Sequence, residues 1–107
     1  GGGVIPDYSK KIDLGFSKTF TNAGEEKTMS ASGQFVFSWL ANVNPSTLYF
    51  YVNNVSVCRV GNDSGRAFWS NTSFIVGKGD VVKVVAEVNG GYTAVGVMSY
   101  LFPFKWQ

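Results

Sequence analysis

Apolar residues in this chain recur at every second position, in short runs broken by Gly, Asn, Asp and Pro. No segment shows the 3.6-residue period of an amphipathic helix. Ile12, Leu14 and Phe16 step by two, with Phe20 in phase beyond Lys18, which predicts a strand with one wet face. Asn22–Glu26 breaks it, and Lys27–Ser30 reads as a short strand before Gly33. In Gln34–Leu40, Phe35, Phe37 and Trp39 share one face, and Asn42–Pro45 ends the run. Thr47–Val52 puts Leu48, Phe50 and Val52 on one side and Tyr49 and Tyr51 on the other. Asn53-Asn54 then predicts a two-residue hairpin into Val55–Val60, because asparagine tolerates positive φ.

The polar stretch Gly61–Gly65 reads as an exposed loop, Arg66–Ser70 is ambiguous, and Ser73–Val76 reads as a strand. Gly77-Lys78-Gly79-Asp80 predicts a tight turn into Val81–Val88, whose dry face is Val82, Val84, Ala86 and Val88. Asn89-Gly90-Gly91 gives a second hairpin signal. Tyr92–Phe102 is apolar on both faces, so it is a central strand or faces a partner, and Pro103 is expected to end it. About eight closely spaced strands predict an all-β antiparallel sandwich of the jelly-roll type, a single head domain over 5–107. Residues 1–4 read as a tag remnant or a stalk junction, so the chain reads as part of a longer protein.

Composition narrows the function. The 107 residues carry no histidine and one cysteine, Cys58. Histidine-dependent nucleophile pairs, nearly all zinc chemistry and an internal disulfide are thereby excluded. Cys58 alternates with Ser56 and Val60 and reads as an inert core thiol, with an intermolecular disulfide as the alternative. Charged residues are 15% of the chain and aromatics 16%, with a net charge of +2. Weak repulsion and many rings suit self-association; scattered Lys and Arg do not make a nucleic-acid footprint. No apolar run approaches the ~18 residues of a membrane helix. Asp63 and Asp80 lack the oxygen density of a calcium loop, and no carboxylate pair stands out, so neither a metal, a cofactor nor an enzyme is expected. Sequons start at Asn54, Asn62 and Asn71.

Four segments together carry a family likeness: Ile5–Lys10, Tyr49–Val57, Phe74–Val82 and the Gly-rich aromatic last strand. The chain resembles the C-terminal receptor-binding heads of tailed-phage and prophage tail fibres. More broadly it is similar to the trimeric jelly rolls of the tumour-necrosis-factor and complement-head type. The resemblance implies a non-enzymatic homotrimer at the tip of a virion fibre, attaching to a bacterial surface glycan or protein. A trimer would bury the surplus rings Tyr49 and Tyr51, with Tyr100 and Phe102 nearby. The alternative is cover by another part of the same chain.

Sugar recognition needs planar hydrogen-bonding groups beside an aromatic platform. Asn62, Asp63, Ser64 and Arg66 next to Trp69 meet that description, and Tyr92 marks a second candidate tip. The alternative is an ordinary polar connection with Trp69 in the core. Two rival functions follow: a purely structural trimerisation or capping domain of a fibre, or a monomeric bacterial carbohydrate-binding module.

Overall fold

The computed structural model describes residues 2–41, 46–62, 67–86 and 92–107. Among them are eleven strands. These are β1 (Val4–Pro6), β2 (Ile12–Asp13), β3 (Thr19–Phe20), β4 (Glu25–Thr28), β5 (Gly33–Leu40), β6 (Ser46–Val52), β7 (Val55–Asn62), β8 (Trp69–Val76), β9 (Val81–Ala86), β10 (Tyr92–Thr93) and β11 (Gly96–Trp106). One sheet runs β1-β11-β5-β8, with β2 also on β11, and the other runs β4-β9-β6-β7. The pairs β10-β3 form a small third ladder. All pairings are antiparallel. The chain changes sheet between β4 and β5, β5 and β6, β7 and β8, and β8 and β9. The result is an all-β sandwich with the sheet-to-sheet crossings of a jelly roll.

The period-two pattern sets this arrangement. Strand β5 alternates strictly between buried and half-buried, and its Phe35, Phe37 and Trp39 are fully excluded from solvent. Leu48 and Phe50 of β6, Val82 and Val84 of β9 and Leu101 of β11 meet them from the two sheets. Some rings pack edge-to-face, as Phe37 does on Phe50 at 5.1 Å between centroids, and others stack, as Phe35 does on Phe74 at 4.8 Å. Aromatic burial of ~150–250 Å² per ring makes this cluster the largest single source of stability.

Local chemistry closes the turns as the sequence predicts. Asn53 (φ 50°) and Asn54 (φ 66°) are both left-handed, the backbone of a two-residue hairpin whose twist matches its strands, and Val52 faces Val55. At the other turn, Asp80 N–H donates to Gly77 O at 3.0 Å, and Gly79 takes φ +90°.

Several boundaries differ from expectation. The expected strand from Ile12 to Phe20 divides into β2, paired with β11, and β3, paired with β10, because the two ends join different ladders. Glu25 and Glu26, expected as a break, begin β4, and Gly61 and Asn62, expected in a loop, end β7. Strand β8 begins at Trp69 rather than Ser73, because it pairs with the full length of β5, Leu40 opposite Trp69. The expected single strand from Tyr92 divides at Ala94–Val95: β10 pairs with β3, while β11 joins the other sheet. Pro103 does not end β11, which continues to Trp106 along β1. Pro103 O accepts from Asp7 N–H at 2.7 Å, and Phe104 N–H donates to Ser32 O at 3.0 Å. The missing proline donor therefore falls on the β1 side, where β1 ends at Pro6, and the β5 ladder is spared. The expected turn at Asn42–Pro45, the residues Glu87 and Val88 and the Asn89–Gly91 hairpin lie outside the described residues.

Candidate functional site

The solvent-side faces of the two sheets are unlike. On β11, β5 and β8 the outward positions line up in register: Met98 beside Ser38 and Asn71, Tyr100 beside Val36 and Ser73, Phe102 beside Gln34 and Ile75. Gly96, Leu40 and Trp69 form the row above. Residues 33–40, 69–76 and 96–104 include no charged side chain. Trp69 is 46% exposed, Met98 42% and Ile75 63%. Tyr8 lies on this face too, its ring 5.0 Å from Phe102 and its hydroxyl donating to Gln34 Oε1 at 2.9 Å. Charge touches the panel from its β2 side, where Lys11 Nζ stands 4.4 Å over the Tyr100 ring.

Tyr49 and Tyr51 lie elsewhere. They occupy the outward face of the β4-β9-β6-β7 sheet, on the far side of the sandwich from Tyr100 and Phe102. The four rings expected to share one interface are therefore not brought together. β6 and β11 belong to different sheets, and their outward faces look in opposite directions. The surplus tyrosines are instead partly covered from within the chain: Arg59 stands 5.9 Å over Tyr49, and Lys83 5.6 Å over Tyr51. Cation–π contacts of this kind hold a charged stem against the ring and keep the face wet.

The expected loop site is divided as well. Asn62 is the last residue of β7, its backbone opposite Ser46. Asp63, Ser64 and Arg66 lie outside the described residues. Trp69 is exposed at the start of β8, with its six-membered ring over Gly96: a Cβ added there would lie 3.0 Å from the ring edge. Glycine at 96 therefore gives this indole a flat seat. Tyr92 is not a surface platform. It is 8% exposed in the core, its ring 5.4 Å from Phe20, because β10 pairs inward with β3. Cys58 is half-buried at the sheet edge, Sγ 3.4 Å from Thr72 Oγ1.

Sequence reasoning missed a cleft beside the Asn53-Asn54 hairpin. Its volume is about 290 Å³, and Glu26, Asn53, Asn54, Val81 and Lys83 line it. Asp80 holds one of its lining residues: Asn53 Nδ2 donates to Asp80 Oδ1 at 3.0 Å, and Val81 N–H donates to Asn53 Oδ1 at 3.0 Å. The Gly77 N–H, at 2.7 Å, and then the Asn53 amide hold the Asp80 carboxyl below its ordinary pKa. Asp80 is thus committed to the turn. Among the described residues no cluster of acidic or thiol groups could hold a metal ion.

No family model matches the chain, and no curated protein matches it. Among solved structures, the chain is similar to part of an acetyl xylan esterase from the rumen bacterium Butyrivibrio proteoclasticus. That match has 13% identity and a TM-score of 0.48, over 98% of this chain and 33% of that one. It is also similar to part of a cycloisomaltooligosaccharide glucanotransferase from Paenibacillus sp., complexed with cycloisomaltoheptaose. There the identity is 12% and the TM-score 0.44, over 92% of this chain and 19% of that one. The chain spans about a third and about a fifth of the length of these two proteins.

Proposed function

We propose that this chain is the homotrimeric, non-catalytic receptor-binding head of a viral fibre, attaching a tailed phage to a bacterial surface glycan or protein. The observation that carries the reading is the uncharged outward panel of β11, β5 and β8. A solvated sheet face ordinarily alternates polar residues outward and carries lysines that deter edge and face pairing. This panel instead presents Val36, Leu40, Met98, Tyr100 and Phe102 without one charge. The opposite face carries Glu26, Arg59 and Lys83. One side is therefore suited to burial against two further copies, and the other to water. The family likeness of the sequence supports three copies. Three equivalent weak sites at one tip would bind a surface firmly through avidity.

Light scattering on a sizing column tests the assembly. One chain is 11.6 kDa, so three give 3 × 11.6 = 34.8 kDa. Tyr100→Glu, which puts a charge into the panel, is expected to return the mass to one chain with the β-sheet circular dichroism unchanged. Retention of the assembled protein on bacterial cells tests attachment; a trimer that no cell retains would make the domain a fibre cap. A wild-type monomer would refute the assembly. The exposed Trp69 ring then favours the second reading, a monomeric carbohydrate-binding module, because an indole seated on Gly96 offers its face to a sugar.

A further inference from the structure

We infer that the cleft beside the Asn53-Asn54 hairpin is a binding site for an acetamido sugar, a single 2-acetamido-hexose ring. The inference rests on the cleft alone and not on the assembly reading: the cleft opens on the β4-β9-β6-β7 sheet, away from the uncharged panel. Cross-strand register builds it. Glu26 of β4 lies opposite Lys83 of β9, and Lys83 lies opposite Tyr51 of β6, so the three form one row. Val81 ends the neighbouring row, and the hairpin folds against it through Asn53 N–H to Val81 O at 2.9 Å. The volume, about 290 Å³, lies just under the ~300–1,000 Å³ of small-ligand sites, so it suits one ring and not a chain of them.

The groups lining it are complementary to an acetamido substituent. Glu26 accepts, and matches the acetamido N–H. Lys83 donates, and matches the acetamido carbonyl. Val81 gives the acetyl methyl an apolar wall. Asn54 can both accept and donate, as ring hydroxyls require. The side chains of Glu26 and Asn54 make no hydrogen bond or ion pair among the described residues, so nothing in the fold has already claimed them. Asn53 is held by Asp80 and Val81, and both hairpin residues sit in left-handed wells, so the cleft does not have to form on binding. A plain hexose can still donate a hydroxyl to Glu26, but it lacks the acetamido carbonyl for Lys83 and the methyl for Val81.

The test is an NMR titration of the intact chain with N-acetylglucosamine and, separately, glucose. The expected result is saturable amide shifts at Asn54, Val81 and Lys83, with a dissociation constant on the order of 1 mM, the range open to so small a ligand. Glu26→Gln is expected to weaken binding roughly 5-fold or more, through one lost charge-assisted hydrogen bond. Asn54→Gly removes the amide yet keeps a favoured hairpin sequence, so it separates lost binding from lost folding. Trp69→Ala is expected to leave the constant unchanged. The inference is overturned by the absence of saturable shifts tenfold above that concentration, by equal affinity for glucose, by shifts centred on Trp69, or by full affinity in both cleft variants.

Discussion

Gly33 is the position where a single methyl group should do the most damage. It starts β5, is buried, and lies between Pro103 of β11 and Val76 of β8. A Cβ there would stand 2.2 Å from Phe102 O, 2.9 Å from Phe102 C and 2.9 Å from Pro103 Cα. An ordinary carbon–oxygen contact is at about 3.3 Å, so β11 would have to retreat by about 1 Å. All three atoms are backbone, and no rotamer change relieves the overlap. Retreat strains the ladder at the centre of the sheet, beginning with Phe104 N–H to Ser32 O. Overpacking of ~1–3 kcal/mol and two weakened ladder bonds at ~1 kcal/mol each give about 3–5 kcal/mol. A less flexible unfolded chain returns ~0.4–1 kcal/mol, leaving Gly33→Ala about 2–4 kcal/mol less stable. At ~4–8 °C per kcal/mol, the melting temperature should fall by about 8–32 °C. Urea unfolding at constant m-value, beside a thermal scan, reads both. Gly79→Ala is the control: φ is +90° but nothing lies within 4 Å, so only backbone strain of ~1–2 kcal/mol applies. A Gly33→Ala protein within 1 kcal/mol of the parent, or less affected than Gly79→Ala, would refute the reasoning.

Two further outcomes follow from the same structure. Asp80 and Asp7 both have lowered pKa values, Asp80 through the Gly77 N–H first and Asp7 through the Ser9 hydroxyl first. A carboxyl lowered in the folded state stabilises above its ordinary value of 3.8 and loses that contribution as pH falls through the folded value. The melting temperature should therefore drop below about pH 4, and Asp80→Asn should flatten but not abolish that drop, since Asp7 remains; parallel curves for the two proteins would contradict it. Trp69→Ala, on an exposed ring, should change stability by no more than ~1 kcal/mol, whereas Phe37→Ala, fully excluded from water, should cost ~3–5 kcal/mol in the same urea titration. Comparable losses would mean that Trp69 is a core residue after all.

Alternation and turn chemistry were legible in the chain because both are local. Phe35, Phe37 and Trp39 recur at the strand period, so their burial together needed no knowledge of neighbours. Asn53-Asn54 and Gly77–Asp80 carry their turn preferences locally, in the asparagine and aspartate side chains and in the missing Cβ of Gly79. The sandwich class followed from these two signals. The candidate sites did not. Nothing in Tyr49–Val52 says that its outward face looks away from Tyr100, since the two strands are about fifty residues apart and their relation is set by which sheet each joins. Tyr92 reads as a hairpin tip, yet pairing with β3 turns it into the core. The cleft draws Glu26, Asn54 and Lys83 from three separate stretches, and no spacing rule links them.

The sequence by itself determined the strand period, the aromatic core and the tight turns, because side-chain direction in a strand and left-handed backbone at asparagine and glycine are properties of neighbouring residues. Only the tertiary structure decided which outward faces coincide. It gathered the uncharged stretches of β5, β8 and β11 into one panel, and Glu26 of β4, Arg59 of β7 and Lys83 of β9 onto the opposite one. Sheet order is fixed by pairings between distant segments, and those are chosen by the burial of the whole core rather than by any one strand.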